Sequence, residues 1–107
     1  MRLNIYEKKK VVKTYEASAY DLMFGTVEDI LEVTKFENIT ATSNAELVKV
    51  VADLALRSMG TVKYLLMDIF EGLSEEEIKH TKIKEVAWVL IEVIRFAVSQ
   101  MGGGEKN

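Results

Sequence analysis

The acidic and histidine side chains of this sequence offer few arrangements that could support chemistry. Glu77 and His80 are three residues apart, the spacing with which helices supply ligand pairs to di-iron centres, but the chain has no second histidine to complete such a site. Asp68 and Glu71 have the same spacing and could act as a general acid and base, although such pairs are common on solvated helix faces. We therefore predict no catalytic residue, no metal site, no cofactor and no enzymatic activity.

Glycine and cysteine usage supports the same prediction. The three consecutive glycines at positions 102–104 have no strand before them and no helix after them, so they do not match a phosphate-binding loop. The chain has no cysteine, which excludes disulfides and thiolate metal sites and is compatible with a reducing cytoplasm.

Length and composition favour one folded domain. The chain has 107 residues, of which 49% are hydrophobic and 29% charged, and this balance is typical of a globular protein. The first ten residues become charged before any long apolar segment forms, and no run approaches the roughly 18 apolar residues of a membrane span. We therefore expect neither a signal peptide nor a transmembrane helix.

Charge is unevenly distributed along the sequence. The first 18 residues carry five basic and two acidic side chains, a net charge of +3, and the whole chain carries −3, so the remainder carries −6. An acidic chain lacks the broad basic surface that nucleic-acid binding requires. The asymmetry instead favours contact between copies of the chain or with a protein partner.

The strongest helical pattern covers residues 81–101. Its apolar residues recur with helical spacing, and Trp88, Val89 and Val93 widen the apolar side until only a narrow polar strip remains. We expect a small domain to leave part of such a surface uncovered and available for contact. Trp88 fits either a core position or an interface anchor. The predicted contact residues are Trp88, Val89, Ile91 and Ile94, followed by Met23 and Phe24.

Capping signals divide the middle of the chain into helices. Ser43 and Glu46 match the capping box, which predicts a helix that starts there and ends near Gly60. Thr61 can cap the next helix, and Gly72 can end it. Ser74 opens a third, short helix by a second capping box.

The two ends of the chain follow different patterns. Residues 2–16 predict a β-hairpin, because two β-rich segments flank a charged turn. Ser18 can cap a segment that Gly25 interrupts, so the following region is one helix with a weak point or two short helices, and residues 36–42 predict a loop. The predicted fold is predominantly α (α+β): a hairpin and a bundle of about four to six helices in one domain, residues 1–101, followed by a flexible tail, residues 102–107.

Four stretches of this sequence carry a family resemblance. LNIYEKKKVVKTYE with YDLMFGTVEDILEV, VKYLLMDIFEGL, and EEEIKHTKIKEV are similar to segments of the small tail assembly chaperones of long-tailed phages and prophages of Gram-positive bacteria. The likeness covers nearly the whole chain and is weakest around residues 35–44. It consists of general sequence texture and includes no catalytic motif.

The resemblance implies a role like that of the lambda tail chaperone. Such proteins coat the aggregation-prone tape-measure protein in the host bacterial cytoplasm while the tail tube polymerises, and they are absent from the mature virion. The resemblance and the apolar helix together favour a homo-oligomer that binds a long helical client through apolar helix faces. The alternative is another small phage or prophage protein, such as a connector that remains in the tail.

Many family members also exist in a longer form made by programmed ribosomal frameshifting, whose extension is thought to recruit tail tube protein. The hypothesis for this chain is that its last six residues mark the frameshift region, because Glu-Lys-Asn can be encoded by a slippery A-rich run and glycines would form a flexible linker. An ordinary frayed terminus is the other interpretation. These residues are Gly102, Gly103, Gly104, Glu105, Lys106 and Asn107.

Overall fold

The computed structural model describes residues 1–34 and 43–105 and contains a two-stranded antiparallel sheet followed by helices. The described chain is 65% helical and forms a single domain, which confirms the predicted fold class. A 3₁₀ helix, Ala19–Asp21, follows the sheet. The remaining elements are β1 (Arg2–Glu7), β2 (Lys10–Glu16), α1 (Phe24–Thr34), α2 (Asn44–Arg57), α3 (Met59–Ile69), α4 (Glu75–Ile78) and α5 (Ile83–Glu105).

The hairpin is closed by a two-residue turn of lysines. Lys8 and Lys9 both have positive φ, at 52° and 69°, as the tight turns that match strand twist require at their central positions. This conformation is unfavourable for residues with a Cβ atom and normally attracts Asn-Gly. The hairpin therefore forms through the packing of its strands, in particular the burial of Leu3 and Ile5 on one face of β1, despite a strained turn.

Replacing the turn with its preferred residues is expected to stabilise the protein. Lys8→Asn combined with Lys9→Gly should raise the free energy of unfolding by about 1 kcal/mol, because relief of the positive-φ strain exceeds the added flexibility of the unfolded chain. Urea denaturation followed by circular dichroism measures the change. A double change of the same lysines to glutamine removes the same charges without relieving the strain, so an equal gain from that control would contradict the explanation.

Helix α5 is the central helix of the domain. It is contacted by α2, α1, β1 and the 3₁₀ helix, which cover it on several sides. A helix that is apolar nearly all round is suited to such a position. The expectation that part of the apolar surface of α5 would stay uncovered is therefore wrong for its centre, where Val89, Ile91 and Ile94 are buried, although Ile83 at its start is exposed. Its buried residues are Val86, Ala87, Val89, Leu90, Ile91, Val93, Ile94 and Ala97.

Helix α2 runs antiparallel to α5. Arg95 on α5 donates a 2.8 Å hydrogen bond to the side-chain oxygen of Asn44 at the start of α2. At the other end of α2, Ala55 lies near Val86 in the first turn of α5. The buried residues of α2 recur every four positions and face α5. They are Leu47, Val51 and Ala55.

The junction between α2 and α3 is shorter than the sequence predicted. Ser58 alone separates the two helices, and its backbone N–H closes α2 on the carbonyls of Leu54 and Ala55. Gly60 lies inside the first turn of α3 and does not end α2. The predicted stop at Gly60 is wrong because the turn is made at Ser58, whose backbone leaves the helical conformation (φ −125°, ψ 40°) with a negative φ that does not require glycine.

The break before α1 also differs from the sequence prediction. Ser18 caps the 3₁₀ helix as expected, with its hydroxyl accepting from the Tyr20 N–H, and the chain becomes extended at Leu22. Gly25 and Thr26 both lie within α1, and Thr26 is buried. The alternative with two short helices is therefore correct, but the break precedes Gly25 and Thr26 does not act as a fresh cap.

The end of α5 differs as well. The helix begins at Ile83 and continues through Gly102, Gly103 and Gly104 to Glu105, whereas the sequence predicted an end at Met101. Glycine lowers helix stability by about 1 kcal/mol per residue but does not remove the backbone hydrogen bond, so a long helix can continue across it. The loop predicted for residues 36–42 and the last two residues of the predicted tail lie outside the described residues.

No helix in the described ranges is both long and apolar enough to cross a membrane, although α5 has 23 residues.

Candidate functional site

A polar cluster fixes α4 against the hairpin. The Glu77 carboxylate accepts hydrogen bonds from the Tyr15 hydroxyl at 2.6 Å and from the Ser74 backbone N–H at 3.0 Å, and Lys13 pairs with it at 3.3 Å. The Ser74 hydroxyl accepts from the Glu77 N–H, which completes the predicted capping box. The same carboxylate therefore caps α4 and holds it to β2.

A second carboxylate joins β1 to the start of α5. Glu85 accepts hydrogen bonds from the Tyr6 hydroxyl and, at 3.2 Å, from the Asn4 backbone N–H. The hydrogen bond to Glu85 raises the pKa of Tyr6. The Tyr6 N–H donates to the His80 carbonyl at 2.8 Å, and Lys82 lies 4.4 Å from the Tyr6 ring centroid. These contacts cover the outer edge of β1 and fix the α4–α5 connection.

Glu77 should make stability dependent on pH. Hydrogen bonds from Tyr15 and Ser74 lower the pKa of Glu77 from 4.5 to about 2, so the folded state holds the ionised form more strongly than the unfolded state does. Its contribution is complete above pH 4.5 and is lost as the pH falls towards 2. Glu77→Gln should lower the melting temperature at pH 7, and the difference from the wild type should narrow at pH 3.

The matched control for that measurement is Glu76→Gln. Glu76 lies on the same short helix but forms only an exposed pair with Lys79, which contributes little. Its substitution should leave the melting temperature nearly unchanged at both pH values. If both variants lose the same stability at pH 7, the special role of Glu77 is refuted.

The hydrogen bonds of Glu77 fix α4, and α4 forms one wall of an apolar groove. The other walls are the α2–α3 junction and the start of α5. The groove has a volume of about 290 Å³ and opens to solvent. Leu56 and Met59 contribute side chains that are 56% and 57% exposed, and Ile83 is also exposed. We call this surface the apolar groove. Its apolar lining comprises Ala55, Leu56, Met59, Val62, Leu66, Ile78, Ile83 and Val86.

The charged residues that line the apolar groove are two lysines. Lys63 lies 3.8 Å from Glu75, and Lys79 lies 3.3 Å from Glu76, in both cases as exposed pairs. Exposed ion pairs of this kind are worth about 1 kcal/mol or less, so either lysine can exchange its partner at little cost. The groove can therefore bind apolar side chains that are accompanied by a carboxylate.

A second apolar surface lies where the 3₁₀ helix meets α1. Met23 and Phe24 are 72% and 79% exposed, and Tyr20 is equally accessible. The Tyr20 ring packs edge-on against Phe96 of α5, with ring centroids 5.2 Å apart. We call Tyr20, Met23 and Phe24 the aromatic knob. Large apolar side chains so exposed on a small domain are candidates for contact with another protein.

The predicted contact residues divide between the core and the surface. Val89, Ile91 and Ile94 are at most 1% exposed, so they contact the rest of the same chain and leave nothing for a partner. Their assignment to a contact surface is therefore wrong. Trp88 is half-buried and packs against the core.

Met23 and Phe24 are the predicted contact residues that remain fully accessible, and a binding role for them stays a prediction. Leu56, Met59 and Ile83 are not among the predicted contact residues: Ile83 belongs to the apolar side of α5, methionines such as Met59 more often fill gaps in a core, and Leu56 follows no pattern that marks a surface. The α2–α3 junction beside them has no sequence signal at Ser58 that would reveal an open groove.

The two pairs of residues considered for chemistry lie in different pockets. Asp68 and Glu71 line an acidic cleft beside Met23, whereas Glu77 and His80 line a pocket beside the hairpin. Within residues 1–34 and 43–105, no three His, Asp or Glu side chains are grouped so that they could hold a metal ion. The two features that the structure offers for a function are therefore the apolar groove and the aromatic knob, whereas the polar side chains described above make structural hydrogen bonds.

These features define a class: a single-domain helical protein with an N-terminal hairpin, an apolar groove and an exposed aromatic knob. Comparison with known proteins does not identify a family within this class, since the chain matches no protein-family profile, no curated protein and no solved structure.

Proposed function

We propose that this protein is a tail assembly chaperone of a long-tailed phage or prophage of Gram-positive bacteria. In this role it coats the tape-measure protein in the host cytoplasm during tail tube assembly and is absent from the mature virion. Two lines support the proposal: the resemblance of the four sequence segments and the presence of surfaces suited to helical partners. The single structural observation that carries it is the apolar groove with its exposed Leu56, Met59 and Ile83.

The apolar groove suits a client that is helical and apolar on one side. A volume of about 290 Å³ accommodates one or two side chains of such a helix and not a whole helix face. Affinity for each copy is therefore modest, and firm coating comes from many copies on one long client. Weak individual contacts also allow incoming tube subunits to displace the chaperone.

The proposed partners are further copies of this chain, the tape-measure protein and, through a longer form, the tail tube protein. The last of these depends on the frameshift hypothesis for residues 102–107. Reading the gene tests that hypothesis: an A-rich slippery run with an overlapping downstream frame supports it. Codons without such a run would end it.

The proposed function is tested by co-expression with the tape-measure protein. The tagged chain should recover the tape-measure protein from the soluble fraction, whereas the tape-measure protein expressed alone should aggregate. Mass spectrometry of purified virions should detect no copy of the chain. Its presence there in stoichiometric amounts would identify a connector that remains in the tail and would refute the chaperone proposal.

A further inference from the structure

The aromatic knob and the apolar groove border different parts of α5. The knob meets α5 at Phe96, through the ring of Tyr20, and the groove borders it at Ile83 and Val86. Thirteen residues separate Phe96 from Ile83, which corresponds to about 20 Å along a helix axis. Within one chain the knob packs on α5 at Phe96 and Met23 lines a cleft separate from the groove, so a contact between the two surfaces joins two copies.

The two surfaces match in size. An engineered cavity of about 150 Å³ is enough to bind benzene, and the apolar groove has about twice that volume. It can therefore hold the phenyl ring of Phe24 together with the thioether of Met23. Both side chains are more than two-thirds exposed, so they can enter a groove without local unfolding.

The two surfaces also match in charge. Asp21 and Asp29 line the same cleft as Met23, so the knob is flanked by carboxylates. Lys63 and Lys79 line the apolar groove and form only exposed pairs with neighbouring glutamates. Insertion of the knob would bring the two acidic residues towards the two lysines, which favours one orientation of the contact.

We propose that the aromatic knob of one copy occupies the apolar groove of a second copy. The contact is heterologous, because it joins different surfaces of identical chains and leaves one free knob and one free groove. It therefore continues into open arrays or closes into rings. The contact does not require the chaperone role; where both hold, client helices and the knob of a neighbouring copy compete for the same groove.

Sedimentation velocity of the purified full chain, from about 10 μM to about 1 mM, tests the contact without any client. The wild type should show a sedimentation coefficient that rises with concentration. Phe24→Ser removes the knob ring, and Met59→Glu places a charge in the groove, so each should weaken association at least about tenfold. Tyr64→Ser is the matched control, because Tyr64 is equally exposed on α3 but belongs to neither surface.

Mixing the two defective variants separates this contact from one that joins the same surface of both copies. Phe24→Ser retains a groove and Met59→Glu retains a knob, so the mixture should form heterodimers that do not grow further. A mixture that stays monomeric would refute the proposal. So would a wild type that is monomeric at the highest concentration, or variants that associate as well as the wild type.

A charge exchange provides a second test that leaves both apolar surfaces intact. Lys79→Glu should weaken association, because the groove then repels the carboxylates beside the knob. Adding Asp21→Lys in the same chain should restore association, since each contact again pairs opposite charges. No recovery in the double variant, with circular dichroism unchanged, would refute the proposed orientation.

Discussion

Replacing Ile91 with alanine is expected to lower the free energy of unfolding by about 2–5 kcal/mol. Ile91 is fully buried at the centre of α5, so the substitution removes apolar contacts and leaves a cavity that the surrounding helices fill only partly. A domain of this size has a total stability of about 5–15 kcal/mol, so the loss is a large part of it. Denaturation by urea, followed by circular dichroism at 222 nm, measures the change.

The matched control is Ile83→Ala on the same helix. Ile83 is 44% exposed at the open end of α5, so the same chemical change should cost less than about 1 kcal/mol. The contrast between the two variants distinguishes a central buried helix from a contact surface. Equal losses would contradict the position of Ile91 in the core, and no loss at Ile91 would return it to the candidates for a contact surface.

Replacing Leu56 with glutamate is expected to reduce recovery of the tape-measure protein at least about tenfold while the fold persists. The substitution removes an apolar side chain from the apolar groove and places a carboxylate there, which a bound client helix would remove from water and which would compete with the client's own carboxylates for Lys63 and Lys79. In the free protein the same carboxylate remains solvated because Leu56 is 56% exposed. Thermal denaturation should therefore differ from the wild type by no more than about 0.5 kcal/mol in stability.

Val50→Glu provides the control for that experiment. Val50 lies on the same helix, α2, and is about half exposed, but it does not line the apolar groove. The variant should recover the tape-measure protein as well as the wild type does. If Val50→Glu loses the client and Leu56→Glu retains it, the client binds elsewhere on α2 and the groove is not the site.

Separate experiments test the proposed contact between copies and the proposed contact with the client. The purified chain alone reports on the knob and groove between copies, whereas co-expression reports on the client. If the protein self-associates but recovers no tape-measure protein, the contact between copies is supported and the chaperone function is refuted. The opposite result would retain the function and require another route for assembly on the client.

Local sequence signals predicted the elements whose formation depends on nearby residues. Ser43 and Ser74 start helices where expected, because each hydroxyl accepts from a backbone N–H three residues away, and at Ser74 the Glu77 carboxylate completes the capping box. The hairpin was predicted from its β-branched and aromatic residues, although its lysine turn contains no residue that prefers positive φ. The helical period of α5 likewise predicted a helix but not what would cover it.

The sequence by itself determined a small helical domain with an N-terminal hairpin and one helix that is apolar nearly all round. It also determined a basic N-terminal segment followed by an acidic remainder. Only the tertiary structure decided which apolar residues remain outside. Burial depends on how several elements pack together: α1, α2 and β1 pack against α5, in which Ile91 is fully buried, whereas the sharp junction at Ser58 leaves Leu56 and Met59 in an open groove. Helical periodicity records the apolar side of each helix, but it carries no information about the neighbour that covers that side.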